Sequence, residues 1–263
     1  MSVNDVSRWH HGVLVDLVEN SVPAAPILAA DSWLVTDGRT RALALHRDRF
    51  LSAVDSSGVA IDDADGFWTA AVAGLPRTGD WFPRVELRGA VDDADAALYL
   101  HHRPAPPVER SVVVATLAGE DPRTVPLVKG PDLLRMAQAR TDVGAVGAGE
   151  AIIVTDGEGY VVEGAYSGLL WWRGSILCAP PLDFDRVDSV TVRSVLALAT
   201  ALGVETYTEA VTPAELDGVE LWALNALHGP RIVTRWVDGP ALAELPGRLN
   251  QWRTRLGALR QPL

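Results

Sequence analysis

The chain has 263 residues, enough to bury a large core as one big domain or two smaller ones, and its 48% hydrophobic and 22% charged residues describe an ordinary soluble globular protein. A formal net charge of −11 leaves no basic footprint for nucleic acid or an anionic membrane, and no apolar run reaches the roughly 20 residues of a membrane helix. The opening "MSVNDVSRWHHG" lacks a secretion-signal pattern and the single Cys178 cannot close an internal disulfide, so a cytoplasmic protein with Cys178 in its core is expected.

In chain order, "SWLVTDGRTRALAL" reads as a hairpin turned at Asp37-Gly38. "HRDRFLSAV" and "DADGFWTAAVAGL" read as helices. "RVELRGAVDDADAALYLHHRP" reads as two strands around an acidic turn, with Asp92-Asp93 solvated there and Asp62-Asp63 solvated in another turn. "ERSVVVATLAGEDPRT" is a strand running into a polar stretch with Gly and Pro, which places a linker at 119–124 between domains 1–118 and 125–263. "GPDLLRMAQART" starts a helix, with Pro131 in its first turn and Asp132 beside it. "EAIIVTDGEGYVVEGAYSGLLWWRGSILCAP" reads as consecutive antiparallel strands, turned at Asp156-Gly157 and Arg173-Gly174.

"DSVTVRSVLALATALG" is the strongest helix, striped by Val192, Val195, Leu196, Ala199 and Leu202 and capped by Gly203. "VELWALNALHG" is a strand into a tight turn, and "PGRLNQWRTRLGAL" a closing helix with Leu249, Trp252 and Leu256 on one face. This order indicates a mixed α/β (α+β) fold rather than a doubly wound parallel sheet.

Several chemistries are excluded. "GAYSG" has the wrong spacing for a nucleophile elbow, no phosphate-binding Walker loop is present, and "GEGYVV" lacks the last glycine of a dinucleotide fingerprint. His10-His11 and His101-His102 are adjacent pairs, which on a strand point to opposite faces and make poor joint metal ligands. No metal is expected.

One residue stands out by its isolation. Of 23 basic side chains only Lys129, in "VPLVKGPDLL", is a lysine. Arginine stays charged and offers no free amine, whereas lysine can lose its proton and attack a carbonyl to form a Schiff base. On the count alone, a chemical role and chance survival on a solvated loop both stand.

The surroundings favour the chemical role. Lys129, then "GEAIIVTDGEGYVVEGAYSGLLWW", "DSVTVRSVLALATALGVE" and "LWALNALHG", in order over about residues 125–236, resemble the class-IV aminotransferase family of pyridoxal-phosphate (PLP) enzymes. That family includes branched-chain and D-amino-acid aminotransferases and aminodeoxychorismate lyase. "TDGRTRALALHRDRF" is similar to its His-x-x-Arg segment.

The resemblance implies two α/β domains of the D-amino-acid aminotransferase type, with the cofactor in the interdomain cleft and a homodimer as the working form. It implies that Lys129 carries PLP as an aldimine and moves the Cα proton. Glu163, 34 residues on, matches the glutamate that faces the pyridine nitrogen; read without the family it is a strand glutamate. Ser189, Val190 and Thr191 open the strong helix where free N–H groups would meet the phosphate, although Ser189 and Thr191 also suit a plain N-cap and first turn.

Arg49 matches the phosphate-binding arginine, with a surface salt bridge as its other reading. Ala226, Leu227 and His228 resemble the turn whose amides face phosphate and substrate carboxylate, and its "NAL" wording is closer to the lyases. Arg84, or Arg88 nearby, aligns with a carboxylate-holding arginine; both could be strand-face arginines.

Four departures accompany the match. "PAAPILAADSWLV" stands where the family writes a Tyr-Gly-Asp-Gly-x-Phe-Glu-Thr-like run. Leu134 stands for a tyrosine, Ser189 and Val192 for the glycine and arginine of Gly-Val/Ile-Thr-Arg, and Ser167-Gly168 for Ser-x-Asn. The expected function is an aminotransferase moving an amino group between an amino acid and a 2-oxo acid, both small-molecule substrates. A lyase-like elimination releasing pyruvate is the alternative, and a non-catalytic relative of the fold a third reading.

Overall fold

The structure, a computed structural model, describes residues 6–17, 22–91 and 94–263. By its contacts the chain forms two compact units. The first runs to Pro107 and takes in Val128–Pro131 and Leu259–Leu263; the second comprises Val108–Leu127 and Asp132–Ala258. The sequence reading puts the change of domain at 119–124; the contacts put it at Pro107/Val108.

The first unit holds strands β1 (Val6–His10), β2 (Val13–Leu17), β3 (Ile27–Ser32), β4 (Val35–Thr36) and β5 (Arg39–Thr40), then helices α1 (Leu43–Ser56) and α2 (Ala64–Ala73). Strands β6 (Asp80–Trp81), β7 (Arg84–Arg88) and β8 (Ala97–His101) follow. Five of these strands form a sheet in the order β2-β1-β8-β7-β3, antiparallel throughout, with β3 at one edge.

The period of two in "RVELR" sorts β7 into two faces. Val85 and Leu87 enter a core with Phe50, Phe67, Trp68, Leu98 and Leu100. Arg84, Glu86 and Arg88 take the opposite face. The expected Asp37-Gly38 turn is present, with φ of 47° and 69°. Pairing stops at Thr40, because Ala42 is left-handed and Leu43 already begins α1. Asp63 does more than sit in a solvated turn: its carboxylate accepts from Gly66 N at 2.8 Å and caps α2. Asp92-Asp93 lie outside the described residues.

The second unit begins with β9 (Ser111–Thr116), α3 (Leu133–Gly144), β10 (Glu150–Val154), β11 (Val161–Gly164), β12 (Gly168–Arg173) and β13 (Ile176–Ala179). It continues with α4 (Val190–Ala201), β14 (Thr206–Thr208), β15 (Glu220–Asn225), β16 (Gly229–Val237) and α5 (Arg248–Ala258); a final strand, β17 (Gln261–Pro262), returns to pair with β5 in the first unit. Eight strands form one mixed sheet in the order β11-β10-β9-β16-β15-β12-β13-β14. Strand β9 is parallel to β10 and β16, as β13 is to β14.

The expected run of consecutive hairpins is corrected at one joint. β10–β11 and β12–β13 are hairpins, but β12 pairs with β15, and only an isolated Gly164–Ser167 bridge links the ends of β11 and β12.

"GLLWWR" is apolar on both faces because both are covered. Leu169 and Trp171 pack with Val114, Ile152 and Leu221. On the other side Leu170 and Trp172 meet α4 and α5, where Trp172, Trp222 and Trp252 stand edge to face 5.5–5.9 Å apart. Cys178 is buried in the core. Helix α4 carries the expected stripe at Val192, Val195, Leu196 and Ala199, with Ser189 as N-cap and Gly203 left-handed after its end, but Leu202 is an exposed C-cap residue outside the stripe. Pro131 falls before α3 rather than in its first turn, since Asp132 is the N-cap residue.

No helix among the described residues is long and apolar enough to cross a membrane, and none of their His, Cys, Asp or Glu side chains gather in threes to hold a metal.

Helix α4 meets β12 through a close approach. A Cβ on Gly168 would lie 2.6 Å from Val192 Cγ2 and 3.3 Å from Ser189 Cβ. Gly168→Ala is expected to lower stability by about 1–3 kcal/mol through overpacking, measured by urea denaturation. In a double-mutant cycle Val192→Ala should relieve part of that loss; strict additivity would show that the contact does not matter.

Candidate functional site

Lys129 sits on a loop held from both ends. Its own carbonyl accepts from Ala30 N at 2.7 Å, on the edge strand β3. Gly130 follows at φ 139°, where a Cβ would meet the backbone of Ala29 and Ala30 at 2.8 Å. Only glycine fits that conformation at that separation. At the loop's base the buried Asp132 carboxylate accepts from Thr124 N at 3.0 Å, Thr124 Oγ1 at 2.9 Å and Val125 N at 2.8 Å. The "KGPD" wording therefore has a mechanical reading: glycine allows contact, and aspartate closes the loop.

Arg49 is moored to the same strand. Its Nε and Nη2 donate to Asp31 Oδ2 and Oδ1 at 2.8 and 2.9 Å, and Asp31 also meets His46 Nδ1 at 2.8 Å. Asp31 is fully buried; burial alone would raise its carboxyl, but Arg49 and His46 hold it well below the usual range. The guanidinium is 16% exposed, so the pair is an internal one and not a surface salt bridge. The sequence reading does not mark Asp31, which lies in the divergent "PAAPILAADSWLV" stretch.

Arg84 and Arg88 both turn to Glu86 on their own strand. Arg88 Nε donates to Oε2 at 2.8 Å, and Arg84 Nε lies 2.5 Å from Oε1 as an ion pair without hydrogen-bond alignment. His101 Nε2 adds a third contact at 3.0 Å. Burial opposes ionisation of Glu86, but His101 and the two arginines bring it down from 4.5 to about 2. Two guanidiniums on one carboxylate leave a positive surplus on this face.

In the second unit Glu163 is 7% exposed on β11. Burial raises its carboxyl to about 7, against the opposing pull of Arg123, the Val187 N–H and the charge of Arg186. Arg123 Nη1 donates to Glu163 Oε1 at 2.5 Å. That arginine, six residues before the lysine, also escaped the sequence reading, because nothing in "EDPRT" marks it as buried.

Ser189 Oγ accepts from Val192 N at 3.3 Å as a plain N-cap, and Val190 and Thr191 are buried behind it. In the turn after β15 the His228 N–H is already donated to Asn225 Oδ1 at 2.8 Å. The His228 ring accepts from Glu109 N at 3.1 Å; burial, reinforced by Arg231, lowers its pKa to about 4, so it is neutral at pH 7. Ala226 and Leu227 form the half-buried turn itself.

Lys129, Arg49, Arg84 and Arg88 thus belong to the first unit. Glu163, Ser189–Thr191 and Ala226–His228 belong to the second. Taken unit by unit, the first offers an amine and a guanidinium, and the second a buried carboxylate and a helix start, which are the kinds of group PLP needs for its aldehyde, phosphate and ring nitrogen.

A family model described as amino-transferase class IV matches residues 28–236. The chain belongs to the class-IV aminotransferases, which are PLP-dependent enzymes. Among solved structures it is similar to the fold IV-transaminase CpuTA1 from Curtobacterium pusillum, with TM-score 0.82, 17% identity and 97% of each chain covered. It is also similar to a branched-chain aminotransferase from Thermoproteus uzoniensis with norvaline, with TM-score 0.82, 20% identity and 98% and 99% covered. A hypothetical aminotransferase from Mycobacterium tuberculosis gives TM-score 0.81, 18% identity and 97% and 98% covered. No curated protein matches at a significant level.

Two variants probe this geometry. Gly130→Ala should cost roughly 1–3 kcal/mol, because alanine would be strained at this φ and pressed against β3; an unchanged thermal midpoint would exclude the mooring. Glu86 has its folded pKa below the ordinary value, so its contribution is present above pH 4.5 and is lost as pH falls through about 2. Glu86→Gln should flatten the stability–pH curve over that window by about 3 kcal/mol, read from urea midpoints.

Proposed function

We propose that this chain is an aminotransferase moving an amino group between an amino acid and a 2-oxo acid, with Lys129 as the residue that holds PLP. The carrying observation is that the chain's only lysine lies on a loop moored to β3 at Ala30, next to the Asp31 that fixes Arg49. When bound, the cofactor supplies an aldehyde for the amine and a ring that accepts electrons from the substrate's Cα.

Lys129 Nζ then takes the Cα proton and gives it back at the far end of the same transfer. Glu163 holds the ring nitrogen protonated. Arg49 and the start of α4, Ser189 to Thr191, hold the phosphate, with Ala226 and Leu227 beside it. The surplus positive charge of Arg84 and Arg88 on Glu86, with Leu227 and His228, receives the substrate carboxylate.

The norvaline of the Thermoproteus structure, and the alpha-ketoglutarate and PMP of a further Mycobacterium tuberculosis form, support this substrate class. A cytoplasmic homodimer belongs to the same reading. Leu127, Leu134 and Leu182, 65%, 82% and 84% exposed, offer a second copy apolar surface.

Purified protein with PLP is expected to show a near-visible band, and borohydride reduction should leave a pyridoxyl adduct on Lys129, located by peptide mass mapping. Lys129→Ala should lose both. Amino-group transfer from an amino acid to a 2-oxo acid should then be measurable. Pyruvate released from aminodeoxychorismate without an oxo-acid acceptor would replace this reading with the lyase, and an adduct without turnover of any donor would replace it with a non-catalytic role.

A further inference from the structure

Arg123 is shared between two carboxylates. Its Nε meets both Asp121 oxygens at 3.0 Å, its Nη2 donates to Asp121 Oδ2 at 2.6 Å, and its Nη1 donates to Glu163 Oε1 at 2.5 Å. The guanidinium is 5% exposed. Asp121, with a quarter of its side chain exposed, keeps some water; Glu163 keeps almost none. The three groups together carry one negative charge more than positive. A cation placed on Glu163 would complete the set, and a protonated pyridine nitrogen is such a cation.

We propose that Arg123 is a positioning residue that orients Glu163 and holds it as the carboxylate, so that the proton shared by Glu163 and the ring nitrogen rests on the nitrogen. This rests on the reading of Glu163 as the pyridine partner. The groups facing Glu163 are Arg123 and Asp121 from the segment before the lysine, and the Val187 N–H and the charge of Arg186 from the segment before α4.

Burial alone favours the neutral carboxylic acid, which would keep its proton, hydrogen-bond a neutral ring nitrogen and leave the ring a poor acceptor of electrons. Arg123 touches the carboxylate directly and reaches the ring nitrogen only across it. Its charge therefore lowers the proton affinity of Glu163 more than that of the nitrogen. That difference decides where the proton sits.

The test reads the proton itself. Wild type, Arg123→Met and Arg123→Lys are loaded with PLP carrying 15N in the ring, and the nitrogen resonance is followed by NMR between pH 6 and 9. Wild type and Arg123→Lys, which keeps the charge, are expected at the protonated-ring position. Arg123→Met is expected at the unprotonated one. A merely structural Arg123 would change the melting temperature and leave the resonance in place, and a protonated ring in Arg123→Met overturns the inference.

If Arg123→Met does not fold, Asp121→Asn serves. It releases more of Arg123's charge to Glu163 but leaves the three-group set neutral, so the proton stays on the ring nitrogen and is lost at a lower pH than in wild type; an unmoved midpoint overturns the inference equally. Glu163→Gln separates the two levels of the argument. A ring still protonated in that variant removes Glu163 as the partner, whatever Arg123 does, and failure of PLP to attach at Lys129 removes both.

Discussion

The structure depends on the closure of one loop. A single amine is chemically useful only if it is held still, and a lysine with four rotatable bonds on a free loop is not. Here the backbone around the amine is fixed. The Lys129 carbonyl completes a hydrogen bond on the edge of β3, Gly130 lies flat against that strand, and Asp132 ties the loop's exit to Thr124 and Val125 at its entrance. The excursion is short enough that residues 128–131 pack with the first unit while the chain on either side packs with the second.

In both units an acidic chain uses its arginines as partners for buried carboxylates. Asp31 has Arg49, Glu86 has Arg84 and Arg88, Glu163 has Arg123, and Glu150 has Arg231 at 3.4 Å with Ser167 Oγ at 2.6 Å. Breaking any such pair leaves an uncompensated charge in a dry place, a cost of several kcal/mol. Arginine suits the role because its fork reaches two acceptors at once and it stays charged when buried. Among these cationic residues only Lys129 is proposed to act by giving up its proton.

Two departures from the family pattern meet in the fold: a Cβ on Gly168, of the Ser167-Gly168 pair, would lie 2.6 Å from Cγ2 of Val192. Asp31 likewise shows that the divergent first segment keeps a carboxylate at the point where Arg49 needs an anchor.

The sequence by itself determined the elements whose signal is local: α4 from its apolar stripe and Ser189 cap, the Asp37-Gly38 turn from residues that accept positive φ, and the alternation in β7. It also singled out Lys129, because a composition can show an amine that has no substitute. Only the tertiary structure decided which strands lie side by side, that β9 belongs with β10 and β16, and that Asp31 holds Arg49, Asp132 closes the Lys129 loop and Arg123 meets Glu163. Those facts rest on contacts between residues up to well over a hundred positions apart, and a charged side chain on a strand or loop reads the same whether it will meet water or a buried partner. What distinguishes the two is the surface that folding removes from solvent.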